Sequence, residues 1–121
     1  MNCKIYHNPR CKYSREGLSY LKKRTKNIEI REYLKDPITH QEIREILLKS
    51  NLKPLQLVRN QEEYFKTYLK GKQFTEEEWI RILVENPRLL KRPIIVNRYR
   101  AVVGTPVENI DKILESTIHD S

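Results

Sequence analysis

The spacing of apolar residues changes period several times along this chain of 121 residues, and each change marks an element. Residues 2–6 (NCKIY) read as a short strand, and 7–10, broken by Pro9, as a loop. Over 12–25, Leu18 and Leu21 lie three apart with Tyr13, Gly17 and Tyr20 nearby, which predicts a helix. Residues 28–33 alternate in period 2, placing Ile28, Ile30 and Glu32 on one face of a strand and Glu29, Arg31 and Tyr33 on the other. Two capping boxes follow. Thr39 with Glu42 precedes Ile43, Ile46 and Leu47, and Thr75 with Glu78 precedes Trp79, Ile82 and Leu83. Between them 60–69 reads as helical and ends at Gly71. Residues 94–96 form a buried strand after Pro93, and 100–103 a second one across a turn at 97–99. Thr105 and Glu108 form a third capping box with Pro106 at the first helical position, opening a last helix through Val107, Ile110, Ile113 and Leu114.

The predicted order is β-α-β, a helical block over about 39–90, then β-β-α. A βαβ unit makes its two strands parallel, with a right-handed crossover. The close pair at 94–103 makes an antiparallel hairpin. The expectation is an α/β fold: a thioredoxin-like four-stranded mixed sheet flanked by helices, with a helical insertion between the second and third strands, the whole of 1–121 forming a single domain.

Charge adds a location. Of a formal net charge of +8, the first 35 residues carry ten basic and three acidic side chains. Apolar residues are interleaved throughout, so this is no disordered basic tail. A basic chain invites an anionic partner: nucleic acid, a membrane surface or a small oxyanion. No apolar run approaches a membrane span, and the N-terminus has no secretory apolar stretch. No helix-turn-helix spacing, RNA-recognition aromatic motif or zinc knuckle is present, which argues against nucleic acid. Two cysteines and three scattered histidines match no structural zinc spacing and no disulfide framework, so the expected setting is cytoplasmic and reducing, with no metal.

The chemistry concentrates at Cys11. It follows a strand and loop at a predicted helix start, where unpaired N–H groups favour an anion and so a thiolate. Arg10, Lys12 and Arg15 add cations, as does His7 if protonated. Cys3 lies roughly 13 Å from the far end of its strand at about 3.3 Å per residue, too far for an easy disulfide with Cys11, and reads as structural. Ser14 stands where a Cys-x-x-Cys motif would carry its second thiol, so an external thiol must resolve any adduct on Cys11. Ser14 can also donate a hydrogen bond to the Cys11 sulfur from the first helical turn.

The segment Ile5-Tyr6-His7-Asn8-Pro9-Arg10-Cys11-Lys12-Tyr13-Ser14-Arg15 resembles the active-site signature of the ArsC-type arsenate reductases. Arg92-Pro93-Ile94-Ile95-Val96 and Leu57-Val58-Arg59-Asn60 resemble two further signatures of that family, and the match spans 2–116. The resemblance implies that Cys11 attacks arsenate, that glutathione or another low-molecular-weight thiol then enters at arsenic, and that glutaredoxin resolves the adduct and releases arsenite. It implies no bound cofactor. It also implies that His7 favours the thiolate, that Arg59 and Arg92 hold the oxyanion, and that Pro93 is the cis-proline beside the site, with Asn8, Ser14 and Arg15 in support. Arg suits this task because its planar donors match an oxyanion bidentately.

The chain departs from that pattern at Thr105, where these reductases carry a third arginine; Arg98 or Arg100 in the preceding hairpin are candidates to replace it. The departure weakens the case for arsenate but not for thiol chemistry. The family also includes Spx-type regulators that bind RNA polymerase, many through a Cys-x-x-Cys switch that Ser14 removes. A reductase of another thiol or disulfide substrate is the remaining alternative.

Overall fold

A computed structural model describes residues 2–119, with side chains through Leu114. Four strands, β1 (Asn2–His7), β2 (Asn27–Glu32), β3 (Ile94–Val96) and β4 (Ala101–Val103), form one mixed sheet in the order β2-β1-β3-β4. β1 and β2 are parallel, and the other two pairings are antiparallel. Helices α1 (Lys12–Lys22), α2 (His40–Ser50), α3 (Glu76–Glu85) and α4 (Ile110–His119) flank it. This is the expected thioredoxin-like α/β plan, with α2 and α3 inserted between β2 and β3. None of the helices, over the described residues, is long and apolar enough to cross a membrane.

β1 is the central register strand, with Ile5 opposite Ile30 on one side and Ile95 on the other. Alternation along β1 divides the core into two layers. Cys3 and Ile5 pack with Leu21 of α1, Ile95, and Ile110 and Ile113 of α4. Tyr6 joins the larger layer, with Ile43, Ile46 and Leu47 of α2, Ile80 and Leu83 of α3, and Ile94 and Val96 of β3. Both helices of the insertion start as expected: the Thr39–Glu42 and Thr75–Glu78 boxes are fully formed.

Four local expectations change. α1 ends at Lys22 rather than 25, because the N–H groups of Arg24 and Thr25 both fold back onto the Leu21 carbonyl. The predicted helix at 60–69 shrinks to a short stretch centred on a π-helical turn, Phe65–Leu69. β2 alternates, but its apolar face is not the well-covered one: it is an edge strand, with Ile30 at 44% exposure. The opposite face meets α2, where Glu42 accepts from Arg31 at 2.8 and 3.0 Å and from the Tyr6 hydroxyl at 3.1 Å. Tyr33, one residue past β2 on that side, is fully buried. Finally, Thr105 does not cap α4. Pro106 is extended (ψ 160°), so the chain first makes a 3-10 turn, Val107–Asn109. The entry is held instead by Asn109, whose side-chain amide donates to the carbonyls of Val103 and Thr105 at 3.0 and 3.3 Å.

Candidate active site

Between β1 and α1 the chain makes a tight turn that brings Cys11 to the helix start. The Cys11 N–H donates to the Asn8 carbonyl at 3.0 Å, with Pro9 fixing the second position of the turn. The Asn8 side chain accepts from the Arg10 N–H at 3.1 Å, and Arg15 reaches back from α1 to the Pro9 carbonyl at 3.0 Å. Cys11 is thereby the N-cap residue of α1, in extended conformation. No side chain caps this helix, and its first turn holds no acid. Burial pushes the Cys11 thiol up, but the Arg92 guanidinium and the backbone N–H groups of Ser14 and Tyr13, which face the sulfur without forming a full cap, outweigh it and hold the thiol below its ordinary value.

Ser14 and His7 meet, but not as the sequence suggested. The Ser14 side chain is fully buried; its oxygen pairs with His7 Nδ1 at 2.8 Å and accepts from the Asn8 N–H at 3.0 Å. With its hydroxyl so engaged, it is the Ser14 backbone N–H that serves the sulfur. Burial is the largest influence on His7 and holds its imidazole below its ordinary pKa, against the pull of Glu32. Burial thus works against an imidazolium beside Cys11, and the contact the ring makes is with Ser14. Cys3, by contrast, is buried and its thiol is pushed up by that burial; both cysteines are free.

Arg59 and Arg92 come together because their segments run side by side. Val58 and Leu90 form an antiparallel bridge, the Arg59 N–H donates to the Leu89 carbonyl at 2.7 Å, and the Lys91 N–H donates to the Leu57 carbonyl at 2.8 Å. Arg59 pairs with Glu62 at 2.9 Å. The Arg92–Pro93 bond is cis, as the resemblance implied; Thr105–Pro106 is a second cis bond that it did not. Pro93 is pressed between two glycines. A Cβ on Gly17 of α1 would stand 2.5 Å from Pro93 Cγ, and one on Gly104 would stand 3.0 Å from it. Only glycine allows α1 this close, which is why a residue costing about 1 kcal/mol in a helix interior sits there. The contact sets Arg92 beside the start of α1.

Cys11, Arg59 and Arg92 line a groove of about 690 Å³ that also runs past β4. Its other cations are Lys49, Lys91, Arg100 and Lys112, and among the described residues no acid lines it. Thr105 is in the wall, where its hydroxyl contacts the Arg92 carbonyl at 3.4 Å. Of the two candidate replacements for the family's third arginine, Arg100 lines the groove, while Arg98 lies over the Tyr99 ring. All six groove cations come from residues 49–112, not from the basic first 35. Several of those early cations face acids from elsewhere: Arg24 meets Asp111, Arg31 meets Asp36 and Glu42, and Lys4 meets Glu42. Arg10, Lys12 and Arg15 stand within four residues of Cys11 in the chain but do not line the groove. Tyr33 is the residue the motifs did not single out: Arg92, Cys11 and Arg59 all act electrostatically on its buried hydroxyl.

Known proteins are similar to this chain along nearly its whole length. The model of the ArsC family matches residues 6–113. The chain is 36% identical over 113 residues to the uncharacterized protein YfgD of Escherichia coli (strain K12), across 92% of this chain and 95% of that one. It is 34% identical over 113 residues to the arsenate reductase of Neisseria meningitidis serogroup B (strain MC58), across 92% and 97%. Among solved structures, the arsenate reductase from Vibrio cholerae superposes with a TM-score of 0.87 at 30% identity, covering 93% of this chain and 98% of that one.

Proposed function

The chain belongs to the ArsC family, and from that premise we propose that it is a cytoplasmic arsenate reductase using glutathione and glutaredoxin. The observation that carries the reading is the setting of Cys11: a sulfur at an uncapped helix start, facing two backbone N–H groups and the Arg92 guanidinium, with its thiol held below the ordinary value. A thiolate is the nucleophile, and the same donors suit an incoming tetrahedral oxyanion.

Cys11 sulfur attacks arsenic(V), a bond to sulfur forms, and one arsenate oxygen leaves as water. The thiol of glutathione displaces a second oxygen in the same way. A glutaredoxin thiolate then attacks the glutathione sulfur. The electron pair of that sulfur–arsenic bond passes to arsenic, which leaves as arsenite after the Cys11 bond is hydrolysed. Two thiols become one mixed disulfide, and arsenic gains two electrons. The scheme calls for no resident metal or prosthetic group. Arg92 and Arg59 neutralise the oxyanion, and Arg100 takes the place of the arginine absent at Thr105. His7, through Ser14, keeps the loop from Asn8 to Cys11 in place, with Arg15 bracing Pro9 and Pro93 holding Arg92 beside α1. The groove is far larger than an oxyanion needs and leaves room for the thiol donor.

The test is arsenate-dependent NADPH oxidation coupled through glutathione reductase, glutathione and glutaredoxin. Wild type turns over, and Cys11→Ser falls by roughly a thousandfold or more, the scale on which loss of a nucleophile is felt. Wild-type inactivity with every thiol donor would overturn the reading, and retention of RNA polymerase by that inactive protein would install the regulator reading in its place.

A further inference from the structure

Two buried side-chain polar atoms among the described residues have no hydrogen-bond partner, Tyr33 Oη and Arg92 Nε, and both belong to the neighbourhood of Cys11. Tyr33 is fully buried, its ring part of the core layer beneath α2 and α3. Its hydroxyl lies within the electrostatic reach of Arg92, Cys11 and Arg59, and its contact with Arg92 falls short of a well-formed hydrogen bond. A phenylalanine would fill the same space without burying an unpaired hydroxyl, so the oxygen is kept at a cost to stability.

The donor inventory shows what would satisfy both atoms. Arg92 Nε–H can only donate, whereas a phenol both accepts and donates. Arg92 Nη1 is already held by the carbonyls of Arg88 and Leu90, at 3.1 and 3.5 Å. A bond from Nε–H to Tyr33 Oη would fix the guanidinium plane along a second edge. Its remaining N–H groups would then be aimed at the sulfur and at an anion bound there.

We propose that Tyr33 is a positioning residue for Arg92: its buried hydroxyl accepts Arg92 Nε–H when an oxyanion occupies the site, locking the guanidinium onto that anion and onto the Cys11 thiolate. This rests on the reading of Cys11 and Arg92 as the anion site.

The test measures alkylation of Cys11 in the full-length protein against pH, with and without arsenate or inorganic phosphate as protecting anion, in wild type, Tyr33→Phe, Arg92→Ala and the double variant. Tyr33→Phe is expected to fold with unchanged or higher thermal stability, to need about tenfold more anion for half-protection, and to show a raised Cys11 pKa. In the Arg92→Ala background the same change should add nothing, since Tyr33 acts through Arg92. A Tyr33→Phe protein that loses stability while keeping wild-type protection and thiol pKa would overturn the proposal and leave the hydroxyl a packing group. If neither anion protects wild type, the anion-site reading fails and the proposal falls with it; if wild type and Tyr33→Phe are protected equally, the proposal alone falls.

Discussion

The helices of this protein begin in two opposed ways. α2 and α3 are closed by their own side chains: Thr39 and Thr75 each accept from the N–H three residues on, and Glu42 and Glu78 reach back to the threonine N–H. α3 adds three acids in its first turn. α1 has no formed side-chain cap and no first-turn acid, and its N–H groups at Tyr13 and Ser14 are left facing the Cys11 sulfur. A good N-cap is worth about 1 kcal/mol, so α1 forgoes local stability that its neighbours keep. The same unpaired donors are used twice in one molecule, to stabilise a helix where they are closed and to hold an anion where they are open.

The strongest way to break this comparison is Arg92→Ala, which leaves the open start of α1 alone with its sulfur. Anion protection of Cys11 is expected to weaken by about a hundredfold, the scale of a lost hydrogen bond to a charged group. The thiol pKa should climb toward the free value of about 8.5, slowing alkylation at neutral pH. The linkage has a definite sign. A thiol depressed by folding adds stability in full above its unfolded pKa, and that stability is lost as pH falls through the folded value. Arg92→Ala should flatten this slope. An unchanged thiol pKa would mean that the helix start suffices without arginine.

Ser14→Ala tests what keeps the open start in shape. It strips partners from the Asn8 N–H and His7 Nδ1, both in buried surroundings. The expected cost is about 2 kcal/mol in urea unfolding, with a modest loss of Cys11 reactivity as the turn loosens. Wild-type stability in Ser14→Ala would show that the loop is held by Pro9 and Arg15 alone.

Much of this contrast is legible in the sequence because it is local. Thr-x-x-Glu ahead of an apolar run specifies a box whatever packs around it, and both boxes form. Cys11 after a strand and a proline loop is equally local. The illegible parts depend on distance. Thr105-Pro106-Val107-Glu108 carries the same local pattern, yet Pro106 is extended and Asn109 closes the entry from the far side. The charge surplus of the first 35 residues surrounds Cys11 in the sequence, but Glu42, Asp36 and Asp111 meet several of its cations from later in the chain. Tyr33 shares a face with Glu29 and Arg31, and nothing in 28–33 reveals that this polar face of an edge strand meets α2 while its apolar face stays half open. Groove residues such as Arg100 and Lys112 share no segment with Cys11 and become neighbours only through the sheet order.

Thr75→Ala makes the smallest change and tests the closed side of the comparison. The Glu78 N–H loses its acceptor at 3.1 Å, and the carboxylate bond to the Thr75 N–H at 2.8 Å is retained in principle. Stability should fall by about 1 kcal/mol in urea unfolding. The Cys11 alkylation profile should not move, because α3 contributes no residue to the groove lining. The pH dependence adds a second reading. Hydrogen bonds from the Thr75 N–H and hydroxyl group hold the Glu78 carboxyl below its usual range, so the box adds stability above the unfolded carboxyl pKa and loses it as pH falls through the folded value. Thr75→Ala keeps the N–H that contributes most to this linkage and loses the pH-independent bond from the Glu78 N–H, so most of its deficit should persist in acid. A deficit that vanishes in acid would make the Glu78 carboxylate the working half of the cap, and a shifted Cys11 profile would show that the closed and open helix starts are coupled through the core.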